Sequence, residues 1–153
     1  MTKIEDLRNY LLQRVPQLAR NPEQLLTFIE NGQVIYHNGD NYTHKYKMPA
    51  RIVVTDWRGN PDDLVIAILE WITIREPGHN PETVLNFDAQ VVDNEAIDIA
   101  FKLEVSETVL VTWNGETRTI EHVLPEPPAQ INGGVDLEIF VSGPAYDFTL
   151  PNE

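Results

Sequence analysis

An α+β fold, with a mainly antiparallel sheet covered on one face by about three helices, is what this sequence predicts, and three patterns predict it. Up to about Arg75, several segments carry apolar residues at helical intervals behind residues that cap helices. From Leu85 onward the apolar period is two, which buries one face of a strand and wets the other. Asn38-Gly39 and Asn114-Gly115 stand between alternating runs, where Asn-Gly favours a tight hairpin turn. Strands with one apolar face need a cover, and helices on one side of an antiparallel sheet supply it.

The first helix opens at Thr2 and Glu5, which have capping-box spacing, and continues through Ile4, Leu7, Leu11 and Val15 to about Pro16. A second helix is expected from Asn21-Pro22-Glu23-Gln24. Asn caps it, Pro suits its first turn and Gln24 stands where a capping box puts its reciprocal partner. Leu25, Phe28 and Ile29 form its apolar stripe, and Asn31-Gly32 stops it. Gln33 to His37 and Tyr42 to Trp57 read as strands. Pro49 cannot donate to a ladder, so the second of these is expected to break there or to lie at a sheet edge. The run Ile52-Val53-Val54 suggests burial on both faces. The third helix starts at Asn60 as cap, with Pro61, Asp62 and Asp63 in its first turn, runs to about Arg75 and ends before Pro77-Gly78. Leu64, Val65, Ile68, Leu69 and Ile72 line one face, and Ile66, Trp71 and Ile74 make much of the rest apolar. Such a helix is central and buried, or lays one flank against another subunit.

Beyond Thr83, Leu85, Phe87, Ala89 and Val91 alternate with polar residues, as do Ile97, Ile99, Phe101, Leu103 and Val105. Val109, Val111 and Trp113 lead into the Asn114-Gly115 turn, and Arg118, Ile120 and His122 follow it. Pro125-Glu126-Pro127-Pro128 breaks the pattern as a stiff, extended spacer. Val135, Leu137, Ile139 and Val141 then alternate once more. The expected organisation is a single domain over 1–124, a Pro/Gly-rich linker over 125–134, and a terminal strand and tail over 135–153. A lone strand is not stable by itself, so this one completes its own sheet or a neighbour's.

The composition narrows the chemistry. The chain has 153 residues, 42% of them apolar, which is enough for one domain with a real core. The apolar run from Leu64 to Ile74 is too short to span a membrane, and no signal peptide is visible, so a soluble intracellular product is expected. There is no cysteine, hence no disulfide and no thiolate chemistry. Eleven Lys plus Arg against 24 Asp plus Glu give a net charge of −13, which repels nucleic acid and anionic membranes. His37, His44, His79 and His122 lack the spacing of a metal site and read as dispersed surface residues. Asp56, Asp62 and Asp63 stand near the start of the third helix, where paired carboxylates can do acid–base work or hold a cation. Helix and turn chemistry already explains all three. Gly133-Gly134 lacks the lysine of a phosphate loop, and Ser106 and Ser142 are the only serines. No catalytic residue, no cofactor and no metal site is therefore expected. The candidate interface residues are Asp56, Trp57 and Arg58 at the end of the long strand, and Val135, Leu137 and Ile139 in the terminal one. Trp57 reads equally as core and as interface. An alternative function, a small soluble ligand-binding module or an enzyme of unknown substrate, calls for a deep polar pocket with perturbed carboxylates.

One set of residues goes further. Asn21-Pro22, Leu25, Phe28 and Asn31-Gly32 come first, then Val54-Thr55-Asp56-Trp57, Gly59 and Asp63-Leu64. Trp71, Glu107-Thr108-Val109-Leu110-Val111 and Glu126-Pro127-Pro128 follow. In this collinear order, from about Leu7 to Pro128, they resemble the tail completion protein R family of P-two-type contractile-tailed phages. The resemblance implies a tail terminator-like fold and a non-catalytic structural protein of the virion tail, assembled in the host cytoplasm. The implied place is the head-proximal end of the tail, where tube and sheath growth ends and the head is joined. The implied partners are further copies of the chain in a hexamer ring, the tail tube and sheath proteins and the head–neck proteins. The resemblance implies no enzymatic activity; that no sequence-specific nucleic acid and no membrane are partners follows from the charge and hydropathy above, as does the absence of a cofactor from the motifs.

Overall fold

A computed structural model of the chain describes residues 2–36 and 38–126. Its helices are α1 (Thr2–Arg14), α2 (Pro16–Arg20) and α3 (Pro61–Arg75), with a 3-10 turn at Pro22–Gln24. Its strands are β1 (Leu25–Ile29), β2 (Gln33–Tyr36), β3 (His44–Trp57), β4 (Leu85–Val91), β5 (Ile97–Asn114) and β6 (Thr117–His122). Every pairing is antiparallel. The fold is α+β, as the patterning implies, and the sheet is built on two long strands. β3 and β5 pair along most of their length, from His44 opposite Val109 to Trp57 opposite Ile97. Short strands flank them in tandem. β1 pairs the second half of β3 and β2 the first half, while β4 pairs the first half of β5 and β6 the last.

Alternation decides the core. Met48, Ala50, Ile52 and Val54 of β3 and Ile99, Phe101, Leu103 and Val105 of β5 are buried on one face. Leu7, Leu11, Val15 and Leu18 from α1, α2 and the residue between them meet these, together with Leu64, Ala67, Ile68, Trp71 and Ile72 from α3. Trp71 donates its indole N–H to Asp6 at 2.8 Å, and Arg75 Nε donates to the same oxygen at 2.9 Å, so α1 and α3 are tied as well as packed.

The expected helix from Asn21 to Ile29 is not there. Pro22–Gln24 makes one 3-10 turn and Leu25–Ile29 is strand β1, in register with Ala50–Val54. Five residues with apolar side chains at four positions satisfy both periods, and the unpaired edge of β3 decides between them, since a ladder needs a partner strand. The second helix lies earlier instead. Pro16 opens α2 at its first position rather than closing α1, the placement in which a missing N–H costs nothing.

Pro49 neither breaks β3 nor stands at a free edge. It pairs Glu104 of β5, and its C=O accepts from Glu30 N–H at 3.0 Å. Its nitrogen therefore faces the gap where β1 gives way to β2, where no ladder donor is required. Val53 is only half-buried, so the Ile52-Val53-Val54 run has one fully covered face rather than two. α3 is central but not buried all round: Ile66 is 55% exposed and Leu69 44%.

Candidate assembly surface

The end of β3 is the most specialised turn in the chain. Val54 pairs Ile99 and Trp57 pairs Ile97, so three steps along β3 match two along β5 and one residue is extra. Such a bulge bends and twists its strand. Asp56 takes the strain, at φ +55, a region that Asp visits more readily than most residues. Its N–H donates to Asp98 Oδ1 at 2.9 Å, and its C=O accepts from Gln17 at 3.3 Å and Gln24 at 3.4 Å. Its carboxylate accepts from Arg58 at 3.0 Å, and Arg58 also faces Asp93 at 3.7 Å. The Asp56 and Arg58 side chains are about half exposed.

The bulge turns Trp57 inward, where it is 3% exposed and belongs to its own chain's core. Gly59 lies against the indole: a Cβ there would stand 3.0 Å from Cζ2 of Trp57. Asn60 then caps α3, its side chain accepting from Asp62 N–H at 2.9 Å. The three aspartates are thus a bulge residue and two first-turn residues. They do not gather as ligands, and among the described residues no group of three or more His, Asp and Glu does. A cleft of about 460 Å3 opens beside Trp57, between the α1–α2 junction and α3, edged by Gln17, Asp63, Ile66 and the Arg14–Glu70 ion pair.

A second polar cluster joins the chain's two halves. Glu107 of β5 is fully buried. It accepts from the backbone N–H of Lys3 at 2.8 Å and of Thr2 at 3.2 Å, and from His122 of β6. A strand carboxylate therefore caps the first turn of α1, where the helix dipole favours negative charge. Burial alone would raise its pKa, but the Lys3 N–H, His122 and the Thr2 N–H outweigh burial and hold it below the ordinary carboxylate value. Beside it, buried Lys3 pairs with buried Glu76 and donates to the carbonyl of Ser106, and Glu76 accepts from Ser106 N–H at 3.2 Å. Nothing in the sequence pattern joins Thr2 or Lys3 to residues more than 70 positions away. Of the other histidines, His44 contacts the Tyr42 carbonyl and His79 the Glu76 carbonyl. His37, Val135, Leu137 and Ile139 lie outside the described residues.

The remaining surface carries apolar side chains in the open. Ile66 and Leu69 stand on the outer side of α3, Leu26 and Phe28 on β1, and Phe87 and Val91 on β4 at 65% and 74% exposure. No helix among the described residues is long and apolar enough to cross a membrane.

The family of P2 phage tail completion protein R (GpR) matches residues 1–127 of this chain. The chain belongs to that family. Tail completion protein R of Escherichia phage P2 is 24% identical to it over 149 residues, which cover 94% of this chain and 95% of that protein. No solved structure matches. In this member of the family, several of the residues that carry the resemblance hold the fold. Leu25 and Phe28 lie in β1, Val54 to Gly59 form the bulge and its tryptophan contact, Asp63 and Leu64 begin α3, and Trp71 ties α3 to α1.

Proposed function

We propose that this chain completes a contractile phage tail at its head-proximal end, binding the last ring, ending tube and sheath growth and giving the head–neck proteins a surface to join. The observation that carries this reading is family membership over residues 1–127. The physical requirement is one-sided recognition. A stack of rings grows because each ring offers the surface the last one used, and a terminator must occupy that surface without presenting it again. Copies of the chain in a hexamer ring meet that requirement on a six-fold tube. The exposed apolar residues of α3, β1 and β4 are the kind of surface such contacts use. The exposed Asp56–Arg58 pair gives a polar rim at the end of β3, with Trp57 as its support from behind. The net charge of −13 suits a ring through which DNA must pass without adhering. The role is structural, with assembly in the host cytoplasm, and the family lends no support to an enzyme or a small-ligand module.

Electron microscopy of particles lacking this gene tests the reading. Heads are expected intact, with tails that are over-long, unstable or not joined to heads. Normal tails joined to heads would overturn it.

A further inference from the structure

We infer that the outer edge of β4 receives the terminal segment Val135–Val141 of a second copy of this chain as an added antiparallel strand. The edge itself is the first observation. Val84 C=O accepts from Glu104 N–H at 3.0 Å and Val92 N–H donates to Ala96 C=O at 3.0 Å. Both are even-numbered positions of one ladder, whose paired residues run from Leu85 opposite Leu103 to Val91 opposite Ile97. Alternate residues of an antiparallel ladder turn their backbone groups to opposite sides. The N–H and C=O of Leu85, Phe87, Ala89 and Val91 therefore point away from β5, and no strand among the described residues pairs with them.

Natural edge strands are blunted by Lys, Pro, a bulge or a covering element. β4, with the sequence Leu85-Asn86-Phe87-Asp88-Ala89-Gln90-Val91, has no Lys, no Pro and no bulge, and its single charge, Asp88, stands on the face opposite Phe87, Ala89 and Val91. Among the described residues, β5 is the only element with which it makes extensive contact. The opposite edge is treated differently: on β1, Arg8 donates to the outward C=O of Leu25 at 2.6 Å. The side chains of β4 agree with its bare backbone. Phe87, Ala89 and Val91 share the face of buried Phe101 and Ile99 and yet are exposed. The core face continues onto β4 and stops there uncovered.

The second observation is the occupant. Val135, Leu137, Ile139 and Val141 alternate with Asp136, Glu138 and Phe140 over seven residues, the length of β4. Laid beside β4, the four aliphatic side chains extend the face of Phe87 and Val91, while the backbone groups fill the open row. This is strand addition to a sheet edge.

The reach of the chain selects a second copy. Pro125 is held by Arg75 at the end of α3 and borders the same small cavity as Ser106 of β5. Antiparallel entry starts at the Val91 end of β4, opposite Ile97. From Ser106 to Ile97 is nine strand steps, about 30 Å, and from the anchored Pro125 to Val135 is ten steps, about 33–36 Å at full extension. A chain's own segment would have to be close to full extension to cross β4 and cover all seven of its residues, whereas a neighbour's has no such limit. The inference rests on the edge and the segment rather than on the tail-completion reading, so its failure would leave that reading standing.

The absence of cysteine makes disulfide trapping clean. Full-length Ala89→Cys chains are mixed, near their solubility limit, with Leu137→Cys chains and, separately, with Ile139→Cys chains, and oxidised. Disulfide-linked mixed dimers are expected in at least one mixture. They are expected to be lost when Arg118→Cys, on the exposed edge strand β6, replaces Ala89→Cys. Three results would overturn the proposal: no mixed dimer with Ala89→Cys, equal trapping at Arg118→Cys, or a bond that forms only inside a chain carrying both cysteines.

Discussion

Asp56 sits at φ +55 in the only bulge of the β3–β5 ladder, and that one dihedral sets the direction of everything after it. The extra residue turns Trp57 from the strand into the core, and Gly59 then passes close over the indole toward the start of α3. A β-branched residue at this backbone angle would strain by about 1–2 kcal/mol. Asp56→Val is therefore expected to lower stability by that amount, read from the midpoint of urea denaturation. Asp56→Gly relieves the angle and gives up only a half-exposed contact to Arg58, worth about 0–1 kcal/mol, and should fall close to the natural chain. Equal losses for the two variants would show that the side-chain contact matters and the dihedral does not. The sequence Val54-Thr55-Asp56-Trp57 marked the spot as a strand-to-helix turn. It did not show that Asp56 is left-handed or that Trp57 points inward, because both depend on a one-residue offset against a strand about 40 positions away.

At the scale of elements, α3 was the easiest to read and β1 the hardest, for the same reason. Asn60, Pro61, Asp62 and Asp63 act within a single turn, so the helix start is local and the structure places it there. Ile68, in the middle of α3, is fully buried against the sheet. Ile68→Ala is expected to cost about 2–5 kcal/mol in thermal or denaturant unfolding, the range for emptying a core site. A loss below about 0.5 kcal/mol would place it with surface substitutions. β1 carries comparably good local signals for a helix and still becomes a strand. Its five residues are too few for local propensity to outweigh the ladder that β3 offers along Ala50–Val54. The two faces of α3 also differ in a way the pattern could not assign. Ile68 and Ile72 are buried, while Ile66 and Leu69 remain exposed.

For the whole molecule, Glu107 is the closing point. One buried carboxylate joins the start of α1, the middle of β5 and the end of β6. Its pKa is lowered in the folded chain, so its stabilisation is complete at pH values above the ordinary carboxylate value of about 4.5. It is lost as pH falls through that value toward the lowered one. Glu107→Gln should cost about 1.5–3 kcal/mol near neutral pH, the range for hydrogen bonds to a charged group. The gap between variant and natural chain should narrow as the pH drops below about 4.5. A gap independent of pH would mean that shape, and not charge, is what Glu107 contributes.

The sequence by itself determined the class of the fold, the third helix, the hairpin at Asn114-Gly115 and the alternating segments of the second half, and the family, because each of these is written in neighbouring residues or in their order, whereas Asn38-Gly39 lies in a seven-residue connection between Tyr36 and His44 rather than in a tight turn. Only the tertiary structure decided that Leu25–Ile29 is a strand, that Pro49 sits in the middle of a long one, and that Trp57 is core. It alone brought Thr2, Lys3, Glu76, Glu107 and His122 to one place, and left the outer edge of β4 unpaired among the described residues. The physical reason is common to all of these. Each depends on which strand lies beside which, and in what register, and pairing across a sheet is fixed by hydrogen bonds and packing between segments far apart in the chain.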